Sequence, residues 1–290
     1  MQLGLRAYDA GRPPFPSRSC NDDSRRAGTT WRTSVTCAPV RSPAVSAWEL
    51  ALYRFCRWFV SFSLPRLIMY ANSRPVASAQ TGTHEKLAEI VSKHANTEFR
   101  KPIAPYNRAA FDVAVVAWQD AGRPPLILDS GCGVGLSTMR LATQFPDHFV
   151  LGVDQSAHRL ARNTFWQGEP PSNHLCVRAE LADFWRLMHD AGIRLARHYL
   201  LYPNPWPKIG QLQRRWHGHP AFPTLPALGG RFECRSNWRI YIEECALALG
   251  VLGVAAVSVE QHLAATPLTP FEQKYRDSGH GLWRCTSTFA

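Results

Sequence analysis

The sequence predicts an α/β fold, with a mostly parallel central sheet and helices on both faces. Three observations carry this expectation. Short apolar runs alternate with helical segments between residues 126 and 202, the pattern of parallel strands joined by helical crossovers. A glycine-rich turn, Gly131-Cys132-Gly133-Val134-Gly135, follows the first run almost directly. The candidate functional residues lie just after these runs, at the edge where open α/β sheets bind ligands.

The elements follow in order. Leu87, Ile90 and Val91 fall at i, i+3, i+4 and predict a helix over Thr83–Ala95. A second helix is expected over Asn107–Asp120, ended by the Gly122-Arg123-Pro124-Pro125 turn. Leu126-Ile127-Leu128 reads as a strand ending at Asp129, followed by the glycine turn and a helix over Leu136–Gln144. Phe149–Val153 is the next strand, ending at Asp154, with a helix over Ser156–Phe165 capped by Ser156. Leu175–Val177 and a helix over Leu181–Ala191 come third, and His198–Tyr202 is the fourth strand, ending at Pro203.

Length and charge divide the chain. At 290 residues roughly two domains, or one with an appendage, are expected. A hydrophobic fraction of 45% with 19% charged residues excludes a wholly disordered or fibrous chain. The net charge of +11 favours a polyanionic partner. Residues 1–68 hold ten Arg, no Lys and four acids, so +6 of that charge lies outside the alternating region. This Arg/Ser/Pro-rich extension reads as disordered, as an organelle transit segment, or as sequence ahead of a true start at Met69. Residues 69–122 then form a helical lead-in and 123–290 the α/β domain. The most apolar stretch, Trp48–Met69, is broken by Glu49, Arg54, Arg57 and Arg66, so no membrane span is expected, though an interfacial helix remains open. Arg6, Asp9 and Arg12 break any signal-peptide core. The eight cysteines are scattered without a C-x-x-C pair and read as reduced thiols of a cytoplasmic protein, with no metal site.

Two short stretches carry the chemistry. In Asp129-Ser130-Gly131-Cys132-Gly133-Val134-Gly135, glycines at alternate positions permit positive φ and close backbone approach to a ligand. A dinucleotide fingerprint would need its third glycine at the position held by Leu136, which disfavours a nicotinamide enzyme. The second stretch is Tyr202-Pro203-Asn204-Pro205-Trp206-Pro207-Lys208. Its three prolines exclude helix and central strand and make a stiff loop that presents an amide beside an aromatic. The downstream run Gln213-Arg214-Arg215-Trp216-His217-Gly218-His219 is basic with an aromatic inside it, suited to phosphates and a stacked base. A plain glycine turn, a structural proline loop and a solvated basic face are the alternatives.

The G-x-G-x-G spacing after an acid resembles the cofactor loop of Rossmann-like S-adenosylmethionine (SAM) dependent methyltransferases. More specifically, the chain is similar to the tRNA (guanine-N7-)-methyltransferases. The similarity rests on the glycine loop, Pro203-Asn204-Pro205-Trp206 with Lys208 and Arg214-Arg215, Ser236-Asn237-Trp238-Arg239-Ile240-Tyr241, and Thr269-Pro270-Phe271-Glu272 followed by Gly279-His280. It covers about Leu126 to Phe289. It implies SAM as cofactor, held at Asp129 (methionine ammonium), Gly131, Gly133, Gly135, Asp154 (ribose) and Glu180 (adenine edge). It also implies catalytic, cofactor and guanine contacts at Asn204, and tRNA or other RNA contacts at Lys208, Arg214, Arg215, Asn237, Thr269 and Glu272.

Two positions depart from the family, which has Asp where this chain has Asn204 and Asn237. A carboxylate accepts both donors of guanine's N1/N2 edge, whereas an amide sets a donor against one of them. This opens two further readings: methylation of an exocyclic amine or other acceptor, and a catalytically silent SAM- or RNA-binding relative. Guanine N7 itself has a lone pair and no proton. Transfer to it needs positioning rather than a general base, in keeping with a site that has no obvious catalytic His or Cys.

Overall fold

The computed structural model describes residues 73–162, 166–263 and 265–290. The expectations for residues 1–68, for the Trp48–Met69 stretch and for a helix reaching Phe165 lie outside the described residues. Seven strands form one sheet: β1 (Leu126–Ser130), β2 (Phe149–Asp154), β3 (His174–Arg178), β4 (Arg197–Leu201), β5 (Gly230–Ser236), β6 (Val257–Gln261) and β7 (Trp283–Phe289). Their spatial order is β3-β2-β1-β4-β5-β7-β6. Strands β1 to β5 are mutually parallel, and β7 runs antiparallel between β5 and β6. The helices are α1 (Leu87–Ala95), α2 (Pro105–Asp120), α3 (Leu136–Gln144), α4 (Ala157–Leu160), α5 (Leu181–Asp190), α6 (Arg239–Val251) and α7 (Pro270–Asp277). None of the described helices is long and apolar enough to cross a membrane.

The alternation predicted from the sequence is the sheet's own periodicity. Strands β1 and β2 are buried along their whole length because helices cover both faces. Side chains alternate between two cores: Leu126, Leu128, Leu151 and Val153 feed one, Ile127 and Val150 the other. Helix α5 buries Leu181, Phe184, Trp185 and Met188, an i, i+3, i+4, i+7 stripe, against the first core. Each such side chain contributes about 1.5–3 kcal/mol when fully buried. Leu87 and Val91 of α1 and Phe111 of α2 belong to this same core, so the lead-in helices pack on the α/β domain itself.

The sequence reading missed β5, β6, β7, α6 and α7. Strand β5 carries the buried charges Glu233 and Arg235, which break the apolar run that marked the earlier strands. The two are ion-paired at 2.7 Å. Strand β6 is mostly exposed and β7 is rich in Thr and Ser. The cysteines also differ from expectation. Their scatter in sequence ends in convergence, with Cys234, Cys245 and Cys285 buried and their sulfurs within 4.8 Å of one another. All five described cysteines are free thiols, and these three pack as small apolar groups.

Arg215 requires a correction. It was expected to face RNA, but it is fully buried. Its Nη1 donates to Glu244 Oε2 at 2.6 Å and its Nη2 to Gln80 Oε1 at 3.0 Å. Glu244, also fully buried, is bonded by His217 Nε2 at 2.8 Å, Gln80 Nε2 at 2.5 Å and the His84 backbone N–H at 2.9 Å. Burial alone would raise the Glu244 pKa, but the hydrogen bonds and charges of His217 and Arg215 outweigh it and bring the pKa to about 2.

Because the folded-state value is depressed, this stabilisation is complete above the unfolded carboxylate pKa and is lost as pH falls from about 4.5 toward 2. Urea unfolding of the wild type across that range is expected to show a falling midpoint. Glu244→Gln, which leaves Arg215 without a buried counter-charge, is expected to cost about 3–5 kcal/mol at neutral pH. An unchanged midpoint in the variant would remove the pair's structural role.

Candidate active site

The strand order reverses between β1 and β4, and a cleft of about 540 Å³ opens at the carboxyl ends of these strands. Its lining includes Gly131, Cys132, Gly133 and Val134 from the turn after β1, and Asp154 and Gln155 after β2. Glu180, Leu181 and Ala182 line it after β3, and Asn204 and Trp206 after β4.

The glycine turn needs its glycines. Gly131, Gly133 and Gly135 have φ of +79°, +62° and +77°, a region costly for side chains other than glycine. Gly131 N–H and Cys132 N–H donate to Val153 O at 2.8 and 3.2 Å, and Gly133 N–H donates to Asp154 Oδ2 at 3.0 Å. The turn is thereby fastened to the end of β2. Asp154 is buried and also accepts from Ser156 N–H at 2.8 Å, with Arg159 Nη2 at 3.2 Å from the same oxygen. Glu180 borders the cleft with its carboxylate 2.8 Å from Lys101 Nζ.

Asp129 lies beneath the turn. It is buried and does not line the cleft. Its Oδ2 accepts from the Ser137 and Thr138 hydroxyls at 2.6 and 2.8 Å. Burial pushes its pKa up to about 6, against the opposing pull of those two hydroxyls. Through Oδ2, Asp129 ties the end of β1 to the first turn of α3, while its Oδ1 is buried with no hydrogen-bond partner among the described residues. Gly135 caps that helix and likewise lies outside the cleft lining.

The proline loop stores backbone strain. Tyr202 and Trp206 have φ of +49° and +45°, a conformation that costs a non-glycine residue about 1–3 kcal/mol. Surrounding groups hold it. Tyr202 N–H donates to Arg235 O at 2.8 Å, and Ser78 Oγ donates to Pro207 O at 2.6 Å. The buried Arg215 guanidinium donates to Trp206 O at 3.2 Å and Lys208 O at 3.4 Å. Asn204 is exposed at the cleft, its Oδ1 accepting from Trp206 N–H at 3.4 Å. Arg214 lines the cleft and lies over the Trp206 ring at 4.9 Å. Lys208 is exposed but outside the cleft lining.

The last motif divides by role. Thr269 lines the cleft and caps α7, its hydroxyl accepting from Glu272 N–H at 3.0 Å. Glu272 is fully buried and corrects the expectation of an RNA contact. Its carboxylate takes Arg235 at 2.9 Å, Tyr202 Oη at 3.1 Å, His262 at 3.0 Å and Leu268 N–H at 2.6 Å. Burial would raise its pKa, but His262, Arg235 and the Leu268 amide bring it to about 2. Asn237 is half-buried away from the cleft lining, its side chain 3.1 Å from His280 Nδ1.

The sequence reading did not single out Lys101, Arg159 or Phe271, which also line the cleft together with His219 of the basic run. His219 sat inside the quoted basic run and Phe271 inside the terminal motif, but neither carried a signal of its own. Burial lowers the His219 pKa to about 4, so it is neutral at pH 7.

Gly152 of β2 supports the turn from behind. A Cβ there would lie 2.4 Å from Thr138 Oγ1, 2.9 Å from Cys176 Sγ and 3.0 Å from Cys132 Sγ. Gly152→Ala is expected to destabilise the fold by about 1–3 kcal/mol through overpacking. Gly250→Ala in α6 would meet nothing within 4 Å and is expected to be neutral or stabilising. Thermal unfolding of the two variants checks the contrast.

A family model described as "Putative methyltransferase" matches residues 123–285. The tRNA (guanine-N(7)-)-methyltransferase of Burkholderia thailandensis is 26% identical over 197 residues, covering 62% of this chain and 69% of that protein. The protein of that name from Saccharophagus degradans is 28% identical over 190 residues, covering 61% and 82%. Among solved structures, an antibiotic-related methyltransferase has a TM-score of 0.46 at 15% identity, covering 68% of this chain and 98% of its own. The 16S rRNA (adenine(1408)-N(1))-methyltransferase of Catenulisporales acidiphilia has a TM-score of 0.44 at 16% identity, covering 60% and 90%. With a family model spanning more than half of its length, the chain belongs to this methyltransferase family, as a Rossmann-like enzyme that depends on S-adenosylmethionine.

Proposed function

We propose that the cleft methylates N7 of a guanine in tRNA. One observation carries the reading: the Pro-Asn-Pro-Trp loop and the glycine turn line a single cleft, with the Arg214 cation on its rim. The relatives named above as tRNA (guanine-N(7)-)-methyltransferases support the choice of acceptor.

The residues present fit SAM. The glycine turn lines the cleft with little side-chain bulk, Leu181 and Ala182 offer an apolar wall for the adenine, and Glu180 stands at that wall. Asp154 has about four acceptor positions, three of them used by Gly133, Ser156 and Arg159, which leaves one for a ribose hydroxyl. When bound, SAM supplies a methyl group on a positively charged sulfonium. Asp129 holds the turn from below through its Oδ2.

Guanine N7 presents its lone pair unprotonated, so no residue has to remove a proton. His219 is neutral and its Nδ1 accepts from Ala221 N–H at 3.1 Å. The chain's work is to orient the base and exclude water. Asn204 fits this edge of the base. With its Oδ1 turned to Trp206 N–H, the amide NH2 remains as a donor, and the atom beside N7 on guanine is the acceptor O6. Adenine carries an amine there and would set donor against donor. Lys208 and Arg214 are exposed cations, which supports phosphate contacts there.

Purified protein with labelled SAM and tRNA is expected to transfer methyl, and nucleoside mass spectrometry to identify 7-methylguanosine. No transfer, or a product methylated on an exocyclic amine, would overturn the proposal. Asn204→Ala, which removes the donor facing O6, is expected to lower kcat/KM about tenfold or more. Turnover that rises in Asn204→Asp would instead mark the wild type as a silent relative.

A further inference from the structure

We infer that Phe271 is the platform on which the acceptor base stacks, in a pose fixed by an aromatic ladder that ends at Asn237. The inference rests on the reading of the cleft as an RNA-base site.

Phe271 lines the cleft yet is 46% exposed, among the most exposed large apolar residues described. Its backbone is pinned on both sides. Thr269 caps the helix two residues earlier, and the next residue, Glu272, is locked in its four-partner network. The ring therefore cannot retreat into the core by a shift of the helix start.

Behind it lies a stack. The Phe271 and Tyr275 rings are 6.2 Å apart and 25° from parallel, at the i, i+4 spacing of α7. Tyr275 stacks in turn on His280 at 5.4 Å and 14°. The His280 imidazole is fixed at both nitrogens. Ser73 O can only accept, so Nε2 donates to it at 2.8 Å, and Nδ1 accepts from the Asn237 amide at 3.1 Å. A carboxylate at position 237 could not donate to Nδ1, which explains the amide there in physical terms. Tyr275 also meets Tyr202, at the head of the proline loop, at 5.7 Å. The ladder thus couples the Phe271 ring to the loop that carries Asn204 and Trp206.

An aromatic face at a cleft, backed by a fixed stack, suits a purine. Tyr275 is the one ring partner of Phe271 among the described residues. A stacked base is sequence-tolerant, so Phe271 supplies affinity for the flipped-out base while Asn204 reads its edge.

The test is kinetic and optical. Phe271→Ala is expected to raise KM for tRNA tenfold or more, with a smaller effect on kcat and no change in SAM affinity by calorimetry. Tyr and Trp at this position are expected to restore KM to within about threefold, and Leu, of similar bulk but without a π-face, is not. An RNA with 2-aminopurine at the acceptor position should lose fluorescence on binding the wild type but not Phe271→Leu. A Leu variant equal to the wild type, or an Ala variant with unchanged KM, overturns the platform while leaving the proposed reaction intact. A wild type that neither transfers methyl nor quenches the probe overturns the reading of the cleft itself.

Discussion

The buried pair between Arg215 and Glu244 is the interaction on which the proline-loop side of the cleft depends. Both side chains are fully buried, and each must be nearly saturated with partners to tolerate it. The guanidinium donates to Glu244, to Gln80 and to two carbonyls of the proline loop. One cation therefore joins three segments far apart in sequence: the lead-in, helix α6 and the loop after β4. The loop's two left-handed residues persist because these bonds over-determine it. Arg215 also lies over the Trp238 ring at 4.8 Å, which ties the carboxyl end of β5 to the same anchor.

Glu272 plays the matching part at the other rim of the cleft. It gathers Arg235, Tyr202, His262 and the Leu268 amide, and so joins β5, the head of the proline loop and the start of α7. Two buried carboxylates, each brought to a pKa of about 2, thus frame a cleft whose own lining is mostly neutral or apolar. The cofactor side is built differently. There the main-chain amides of the glycine turn are spent on Val153 O and the Asp154 carboxylate, and the fixed object is backbone.

This contrast explains how much could be read from the sequence. The cofactor side was legible because it is local: β1 and β2 are apolar runs buried on both faces, the turn between strand and helix spells its glycines, and Asp154 follows its strand directly. The proline-loop side is non-local. Arg215 stands in a basic run and reads as a solvated cation until Glu244 arrives from a helix 29 positions on. Glu272 reads as an RNA contact for the same reason, its partner Arg235 lying 37 positions away. Strand β5 went unread because its charges satisfy one another inside the sheet. Asp129 was legible as an acid at a strand end, but not the Ser137 and Thr138 hydroxyls that take its Oδ2 from the helix after the turn.

The placement of the cations has a consequence for ionic strength. Arg215 and Arg235 are buried, so mobile ions cannot reach between them and their carboxylates. Lys208 and Arg214 stand in solvent, where a field decays over about 8 Å at physiological salt. The molecule therefore keeps its buried ion pairs and its exposed cations on separate electrostatic circuits. Added salt weakens the second while the first, and with it the shape of the cleft, stays intact.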